Sequence, residues 1–192
     1  MIEKLVLAST SPYRKQLLEK LQVEFETASP QVDESSLPGE SPEQMVARLA
    51  EEKAKDVAAK FSNALVIGSD QVAVVDGKIV GKPGNHENAI AQLKRASGKR
   101  VIFLTGLCVY NTLSRRTQVE VVPFSVIFRQ LSESQINHYL EREQPYNCAG
   151  SFKSEGLGIA LFERLEGDDP NTLIGLPLIR LVRMLESEGF PI

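Results

Sequence analysis

The sequence predicts a fold of the α/β or α+β class, in which parallel and antiparallel strand connections occur together. Near the amino terminus an apolar strand passes through a polar turn into a helical pattern, which is typical of a strand-loop-helix unit. In the middle of the chain two long apolar runs are separated by a short polar segment, which indicates an antiparallel pair. Regular repeats of strand, helix and strand do not fill the chain, so a doubly wound sheet is not expected.

The first strand and the first two helices follow from local patterns. Residues 5–8 form a short apolar strand, and the leucines after the next turn recur at helical spacing. Residues 41–44 have the form of a capping box with proline at the first helical position. Apolar residues then follow at helical spacing as far as Phe61, so we expect an amphipathic helix of about five turns.

A second strand and a hairpin come next. Residues 64–67 form a short apolar strand that ends in the polar segment 68–71. Residues 72–75 then pair with residues 79–80 through Asp76 and Gly77, a dipeptide that favours a type I′ turn. Catalytic groups often lie where such a strand ends, so segment 68–71 is a candidate site.

The second half of the chain is predicted to hold strands, helices and one long loop. The expected elements are a helix at 87–96, strands at 100–110 and 117–128, a helix from the capping box 132–135 to the residue before Pro145, a strand at 159–162 and a helix from Pro177. The stretch 145–158 has no clear period. A loop of this length in a compact chain is a candidate for function.

Composition and charge exclude several classes of protein. The 192 residues are 42% hydrophobic and 24% charged, which fits one globular domain or two closely joined lobes. A net charge of −3 argues against a nucleic-acid partner, because phosphate-dominated binding needs a concentrated basic face. No apolar segment reaches the roughly 20 residues of a membrane span and no export signal is visible, so a cytoplasmic protein without a membrane partner is expected. Cys108 and Cys148 have no paired spacing, so neither a disulfide framework nor a zinc site is expected.

The polar turn between the first strand and the first helix is a candidate phosphate site. It carries the Ser9 hydroxyl, the Arg14 guanidinium and the amides of a helix amino terminus, all of which suit phosphate oxygens. The turn has no glycine and does not resemble a Walker-type loop. An ordinary capping loop with a surface arginine is therefore the alternative interpretation.

Two lysines and two acidic positions are further candidates. Lys53 lies along the apolar stripe of the long helix, where it either snorkels to solvent or points into a cleft. Lys82 stands between glycine and proline just after the hairpin and is either a phosphate ligand or a solvated residue. Asp70 follows an apolar strand and could merely cap a turn, while Asp33 and Glu34 could bind a hard cation or form a solvated acidic loop.

The combination of these groups favours phosphoryl chemistry on a nucleoside triphosphate. Cations neutralise a phosphate chain, and carboxylates hold Mg²⁺ or orient water, so no covalent nucleophile is needed. The two histidines, His86 and His138, lie in polar surroundings beside helices, and no pattern supports a Ser-His-Asp triad.

The ordered motifs of the chain resemble the Maf family of nucleotide pyrophosphatases. The matching segments are LASTSPYRKQLL, VDE, EEKA, GSDQV, GKP, SGK, TG, CAGSFKSEGLGI and GDDPNTLIGLPL. The resemblance implies one Maf/Ham1-like (ITPase-like) domain over residues 1–192, with two lobes, an elongated mixed sheet and an active-site cleft between the lobes. It also implies a homodimer that uses Mg²⁺, Mn²⁺ or Co²⁺ for attack of water on the α-phosphate, with release of pyrophosphate.

The same resemblance assigns roles to individual residues. Asp70 matches the proton acceptor of the family, and Glu34 matches an acidic position near the metal, so Glu34 and Asp70 are the expected metal ligands. The phosphate-handling positions of the family correspond to Ser9, Arg14, Lys53 and Lys82.

The choice of base is expected to depend on Tyr13, Gln71 and Glu155. Members that act on dTTP and UTP typically carry arginine, threonine and glutamine at these positions, so this chain resembles the branch that hydrolyses 7-methyl-GTP. N7-methylation makes the purine cationic, which favours the face of Tyr13. A carboxylate at Glu155 could accept hydrogen bonds from the guanine N1–H and exocyclic amine.

Three other functions stay open from the sequence. The closest is a pyrophosphatase for dTTP and UTP, or one with broad house-cleaning activity on modified nucleotides. A nucleotide-binding regulator of septum formation is of a different class, and loss of Asp70 would spare its binding. A nucleic-acid-binding module lacks both a basic stripe and interleaved aromatic residues.

Overall fold

A computed structural model describes residues 2–192 of the chain, which form a seven-stranded sheet and six α-helices in that range. The strands are β1 Lys4–Ala8, β2 Glu26–Ala28, β3 Ala64–Val75, β4 Lys78–Val80, β5 Arg100–Asn111, β6 Thr117–Phe128 and β7 Phe162–Glu166. The helices are α1 Pro12–Glu19, α2 Pro42–Ala58, α3 His86–Ala96, α4 Glu133–Glu143, α5 Asn171–Ile174 and α6 Leu178–Ser187. None of these helices is both long and apolar enough to cross a bilayer.

The sheet is mixed, which confirms the predicted α/β class. Its strand order is β2-β1-β3-β5-β6-β7, with β4 paired to the far part of β3. β1 runs parallel to both β2 and β3, whereas the pairs β3/β4 and β6/β7 are antiparallel. The turn between β3 and β4 has positive φ angles at Asp76 and Gly77, as a type I′ turn requires.

The chain divides into two compact units. The first unit comprises Met1–Gln71, Thr105–Val122 and Asp169–Ile192, and the second comprises Val72–Leu104 and Pro123–Asp168. In the second unit four phenylalanine rings make edge-to-face contacts with centroids 4.9–5.5 Å apart. These rings belong to Phe103, Phe128, Phe152 and Phe162, and such contacts add to the burial of the rings.

The first unit has three layers, with helices on both faces of its strands. Alternate strand residues point to opposite faces, so each face of β1 and β3 builds a separate apolar cluster. Leu5, Leu7, Leu65 and Ile67 pack with leucines of α1 and α6. On the other face Val6, Ala8 and Val66 pack with Ala50, Ala54 and Val57 of α2. The long stripe of α2 predicted from the sequence is therefore the face that packs on the sheet.

Two capping boxes set the starts of α2 and α4 as predicted. In each case a serine Oγ accepts a hydrogen bond from the backbone of the third helical residue, whose glutamine side chain accepts one from the serine N–H. The serines are Ser41 and Ser132. These contacts are local in sequence, so the tertiary fold is not needed to recognise them.

Two predicted strand boundaries are wrong. β3 does not end at Gly68 but continues to Val75, because the polar side chains of segment 68–71 find partners in the folded unit and do not interrupt the strand. Residues 159–161 are not part of a strand, since Leu157–Leu161 forms a 3₁₀ turn, and only Phe162 of the predicted strand belongs to β7. A short apolar run such as residues 159–162 is too short for its periodicity to distinguish a strand from a helical turn. The short elements β2 and α5 were not predicted.

Close packing of α2 on β3 depends on Gly68. A Cβ atom at this position would lie 2.0 Å from the Ala50 carbonyl oxygen and 2.9 Å from the Ala54 nitrogen. Both are backbone atoms of α2, so the clash cannot be relieved by turning a side chain. Glycine therefore lets the helix approach the strand closely, two residues before Asp70.

We expect Gly68→Ala to destabilise the protein by about 3 kcal/mol or more, the upper part of the range for overpacked sites. Urea denaturation followed by circular dichroism measures this change. Gly81→Ala is the matched control, because a Cβ at Gly81 meets no atom within 4 Å. Equal midpoints for the two variants would show that α2 does not depend on this glycine.

Candidate active site

An ion pair between β3 and α2 forms the centre of the candidate site in the first unit. Asp70 lies on the same face of β3 as Gly68, and this face packs against α2. The Nζ of Lys53 donates a hydrogen bond of 2.7 Å to Oδ1 of Asp70. Lys53 is only 6% exposed and Asp70 only 8%. Lys53 therefore does not snorkel to solvent, because its ammonium group pairs with the buried carboxylate of Asp70.

Lys53 also contacts the second predicted acid. Its Nζ lies 2.6 Å from Oε1 of Glu34, which belongs to the segment between β2 and α2 and has a side chain 63% exposed. The ammonium group thus bridges one buried and one exposed carboxylate. The neighbouring Asp33 instead accepts hydrogen bonds from the backbone and hydroxyl of Ser35, a contact typical of a turn.

Arg14 brings a second positive charge to this cluster. Burial lowers the pKa of Arg14, whereas the negative charges of Asp70 and Glu34 act in the opposite direction. Its Nε donates a hydrogen bond of 2.9 Å to the Gly175 carbonyl oxygen. The terminal nitrogens Nη1 and Nη2 are further donors of the same planar group, and their geometry suits phosphate oxygens.

Ser9 lies in the turn that precedes α1. It is 7% exposed, and its Oγ accepts a hydrogen bond of 3.1 Å from the backbone of Ser11. Ser11 is the N-cap of α1 and its side chain accepts from the backbone of Arg14. The turn is therefore a capping structure at the start of the helix that carries Arg14.

The opposite face of β3 binds the segment before α6. Ser69 is fully buried and donates from Oγ to the Gly175 carbonyl at 3.0 Å. Gln71 donates from Nε2 to Oγ1 of Thr105 at 2.9 Å and to the Thr172 carbonyl at 2.8 Å. The amide nitrogen of Gln71 is thus engaged with the protein itself.

Lys82 and Glu155 belong to the second unit. Lys82 is exposed, and the preceding Gly81 carbonyl accepts a hydrogen bond from Nε2 of Gln92. Glu155 is also exposed and accepts from the Ser154 hydroxyl at 3.3 Å. Burial raises the pKa of the Cys148 thiol, the Lys153 charge lowers it, Glu155 raises it further, and Lys82 lowers it by the smallest amount. Both predicted residues therefore lie at the surface of the second unit.

Glu34 and Asp70 suit a divalent cation by their chemistry. Carboxylate oxygens are hard ligands, and Mg²⁺ is commonly held by one or two carboxylates together with substrate phosphates and water. No group of three or more His, Cys, Asp or Glu side chains in residues 2–192 is arranged to hold a metal. The residues therefore fit a metal that a phosphate chain helps to bind better than a permanent structural ion.

Several residues of this site were not found from the sequence. Ser69, Thr105, Thr172 and Gly175 contact the candidate residues, and Asp169 supports the segment in which two of them lie. The motif GDDPNTLIGLPL contains three of the five, namely Asp169, Thr172 and Gly175. The roles of Ser69, Thr105, Thr172 and Gly175 depend on contacts between residues 34 to 106 positions apart, which no local pattern shows.

The sequence pattern described as "Maf-like protein" matches residues 4–188 of the chain. The chain therefore belongs to the Maf family, and the predicted resemblance is confirmed.

Two curated relatives define the class more narrowly. A protein of Nitrosococcus oceani is 61% identical over 188 residues, which cover 98% of this chain and 94% of the relative. A protein of Colwellia psychrerythraea is 60% identical over 188 residues, again with 98% and 94% coverage. Each of these relatives is named 7-methyl-GTP pyrophosphatase.

Proposed function

We propose that this protein hydrolyses 7-methyl-GTP to 7-methyl-GMP and pyrophosphate. The observation that carries the proposal is the buried Lys53–Asp70 pair with Glu34 and Arg14 beside it. The same activity stands in the names of relatives that share about three fifths of the residues. We further propose that the protein acts in the cytoplasm as a homodimer, as the family resemblance implies.

In this proposal Asp70 accepts the proton of the attacking water. Its Oδ1 is held by Lys53, and Oδ2 accepts no hydrogen bond within residues 2–192. A carboxylate alone is a weak base, so it acts on water that is already polarised by its surroundings. Arg14 and Lys82 bind phosphate oxygens, and Ser9 adds a hydroxyl next to Arg14.

The charges of the cluster support the use of a divalent cation. The positive charges of Arg14 and Lys53 are balanced by the negative charges of Glu34 and Asp70, so a triphosphate adds negative charge that these residues do not compensate. Glu34 and Asp70 would hold Mg²⁺, Mn²⁺ or Co²⁺ through their carboxylate oxygens. When bound, such an ion polarises phosphoryl oxygens and lowers the pKa of coordinated water.

Tyr13, Gln71 and Glu155 are proposed to choose the base. Tyr13 is 38% exposed at the start of α1 and offers an aromatic face to the cationic methylguanine. The exposed carboxylate of Glu155 accepts hydrogen bonds from the guanine N1–H and amine. Gln71 acts indirectly, because its amide donates to the backbone of Thr172.

The test is a panel of triphosphates with product identification. Purified protein is incubated with Mg²⁺, Mn²⁺ or Co²⁺ and with 7-methyl-GTP, GTP, dTTP or UTP, and products are separated by ion-exchange chromatography. We expect pyrophosphate and monophosphate, with 7-methyl-GTP giving the highest kcat/KM. Release of orthophosphate and nucleoside diphosphate in equal amounts would overturn the proposal. The proposed homodimer is tested separately, by measuring the molar mass in solution with light scattering.

Exchange of the three specificity residues should weaken the preference for 7-methyl-GTP. In the variant with Tyr13→Arg, Gln71→Thr and Glu155→Gln, we expect the 7-methyl-GTP to GTP preference to fall by about 10- to 100-fold. The cation–π contact contributes about 0.5–2 kcal/mol, and unpaired guanine donors cost about 1–3 kcal/mol. The kcat/KM values of single and combined variants measure this. An unchanged ranking would show that these residues do not choose the base.

A further inference from the structure

We propose that Asp169 is a positioning residue for Arg14. It holds the segment between α5 and α6 in the conformation in which the Gly175 carbonyl fixes the guanidinium group. This inference rests on the proposed function, because it concerns an arginine that binds the phosphate chain. All of the residues concerned belong to the first unit.

The carboxylate of Asp169 joins the starts of two helices. It is 2% exposed, and Oδ1 accepts hydrogen bonds from the backbone and side-chain nitrogens of Asn171 at 2.8 and 2.7 Å. Oδ2 accepts from the backbone of Ile179 at 2.9 Å. Ile179 is in the first turn of α6, whose N-cap residue Pro177 has no capping side chain. Asp169 therefore supplies from a distance the cap that α6 lacks.

This bond pattern closes the chain between residues 169 and 179 into a fixed segment. Inside it, the Gly175 nitrogen donates to the carbonyls of Asn171 and Thr172 at 3.1 Å each. Gly175 has a φ of +125°, a conformation that strongly favours glycine. Gln71 and Thr105 donate to the Thr172 carbonyl and restrain the same segment from the sheet.

The segment directs one carbonyl at the candidate site. The Gly175 oxygen accepts hydrogen bonds from Nε of Arg14 at 2.9 Å and from Oγ of Ser69 at 3.0 Å. An arginine side chain has many rotamers, and a bond at Nε selects the orientation in which the terminal nitrogens are presented together. Preorganised donors are effective because they need no reorientation when charge develops on the phosphate. Asp169 contributes by keeping the carbonyl in place.

The test begins with Asp169→Asn. The amide has almost the same size, but its nitrogen cannot accept a hydrogen bond, so one of the two helix starts loses its acceptor. We expect kcat/KM for 7-methyl-GTP to fall by about 10- to 100-fold, the effect of small misplacement of a binding group, with a raised KM. Asp168→Asn is the matched control, since Asp168 is the exposed neighbour outside this network, and its kinetics should equal those of the wild type.

Two readouts separate positioning from general damage. In an Arg14→Ala background, Asp169→Asn should cause little further loss, because it acts through an arginine that is no longer present. In addition, the ¹⁵N–¹H signal of Arg14 Nε, assigned by its absence in Arg14→Lys, should shift in Asp169→Asn and stay in place in Asp168→Asn. If Asp169→Asn does not fold, Ser69→Ala removes the other donor to the Gly175 carbonyl and should give the same two signatures more weakly.

Losses that multiply in the double variant, or an Nε signal that does not move, would overturn the inference. The NMR measurement needs no substrate, so its result stands even if the protein fails to hydrolyse 7-methyl-GTP. Absence of wild-type hydrolysis would instead contradict the proposed function alone.

Discussion

Replacement of Asp70 by asparagine is expected to lower kcat for triphosphate hydrolysis by about 10²- to 10⁴-fold, the usual contribution of a general base. The fold should survive, because the asparagine carbonyl still accepts the hydrogen bond from Lys53 and because Glu34 still pairs with that ammonium group. Nucleotide binding should also survive, which separates an enzyme from a regulator that only binds. Steady-state kinetics, thermal unfolding and binding of a non-hydrolysable triphosphate measure the three quantities.

The matched control for Asp70 is Asp56→Asn. Asp56 lies on α2 and accepts a hydrogen bond from the backbone of Gln31, while Lys53 pairs with Glu34 and Asp70. Its kinetics should equal those of the wild type. A thermal midpoint lowered by many degrees in Asp70→Asn, with full activity per folded molecule, would make Asp70 a structural residue.

Replacement of Lys53 by methionine is expected to lower both catalytic efficiency and stability. Methionine keeps the length and the apolar stem along α2 but removes the charge between Asp70 and Glu34. Two carboxylates are then left close together, and the phosphate chain loses a cation. We expect kcat/KM to fall by about 10²- to 10³-fold, as for the loss of one preorganised donor. Stability should also fall, because one partner of a largely buried ion pair is left alone.

Lys55→Met is the control for Lys53. Lys55 is an exposed residue of the same helix and pairs with Glu51 one turn earlier, a contact that contributes little. Lys82→Met, which removes the proposed phosphate ligand of the second unit, should lower kcat/KM by a similar factor without loss of stability. Unchanged kinetics in Lys53→Met would show that this lysine has a packing role only.

The local structure of this chain was readable from sequence because its signals are local. The capping boxes at Ser41 and Ser132, the Asp76-Gly77 turn and the stripe of α2 each depend on residues within about four positions of each other, or on a regular period. The strands β5 and β6 were long enough for their apolar runs to be recognised. The short β2 and α5 carried no such signal.

The family and the candidate residues were also readable, because ordered motifs over nearly the whole chain leave little room for coincidence. Lys53 stood out as a charge on an apolar stripe, a conflict that usually marks a special environment. The apolar stripe of α2 could not show which residues pair with the Lys53 ammonium group. Glu34 and Asp70 are separated from Lys53 by 19 and 17 positions, and only folding brings their carboxylates within hydrogen-bond distance of its ammonium group.

The class of fold, the family and the identities of the charged groups therefore follow from the amino-acid sequence alone. The continuation of β3 through Asp70, the close approach of α2 at Gly68 and the contacts of Ser69 and Gln71 with the segment before α6 follow only from the folded chain. These contacts join residues that are far apart along the chain. A carbonyl at Gly175 and a guanidinium at Arg14 are 161 positions apart, so their hydrogen bond follows from the packing of whole elements and leaves no trace in local composition.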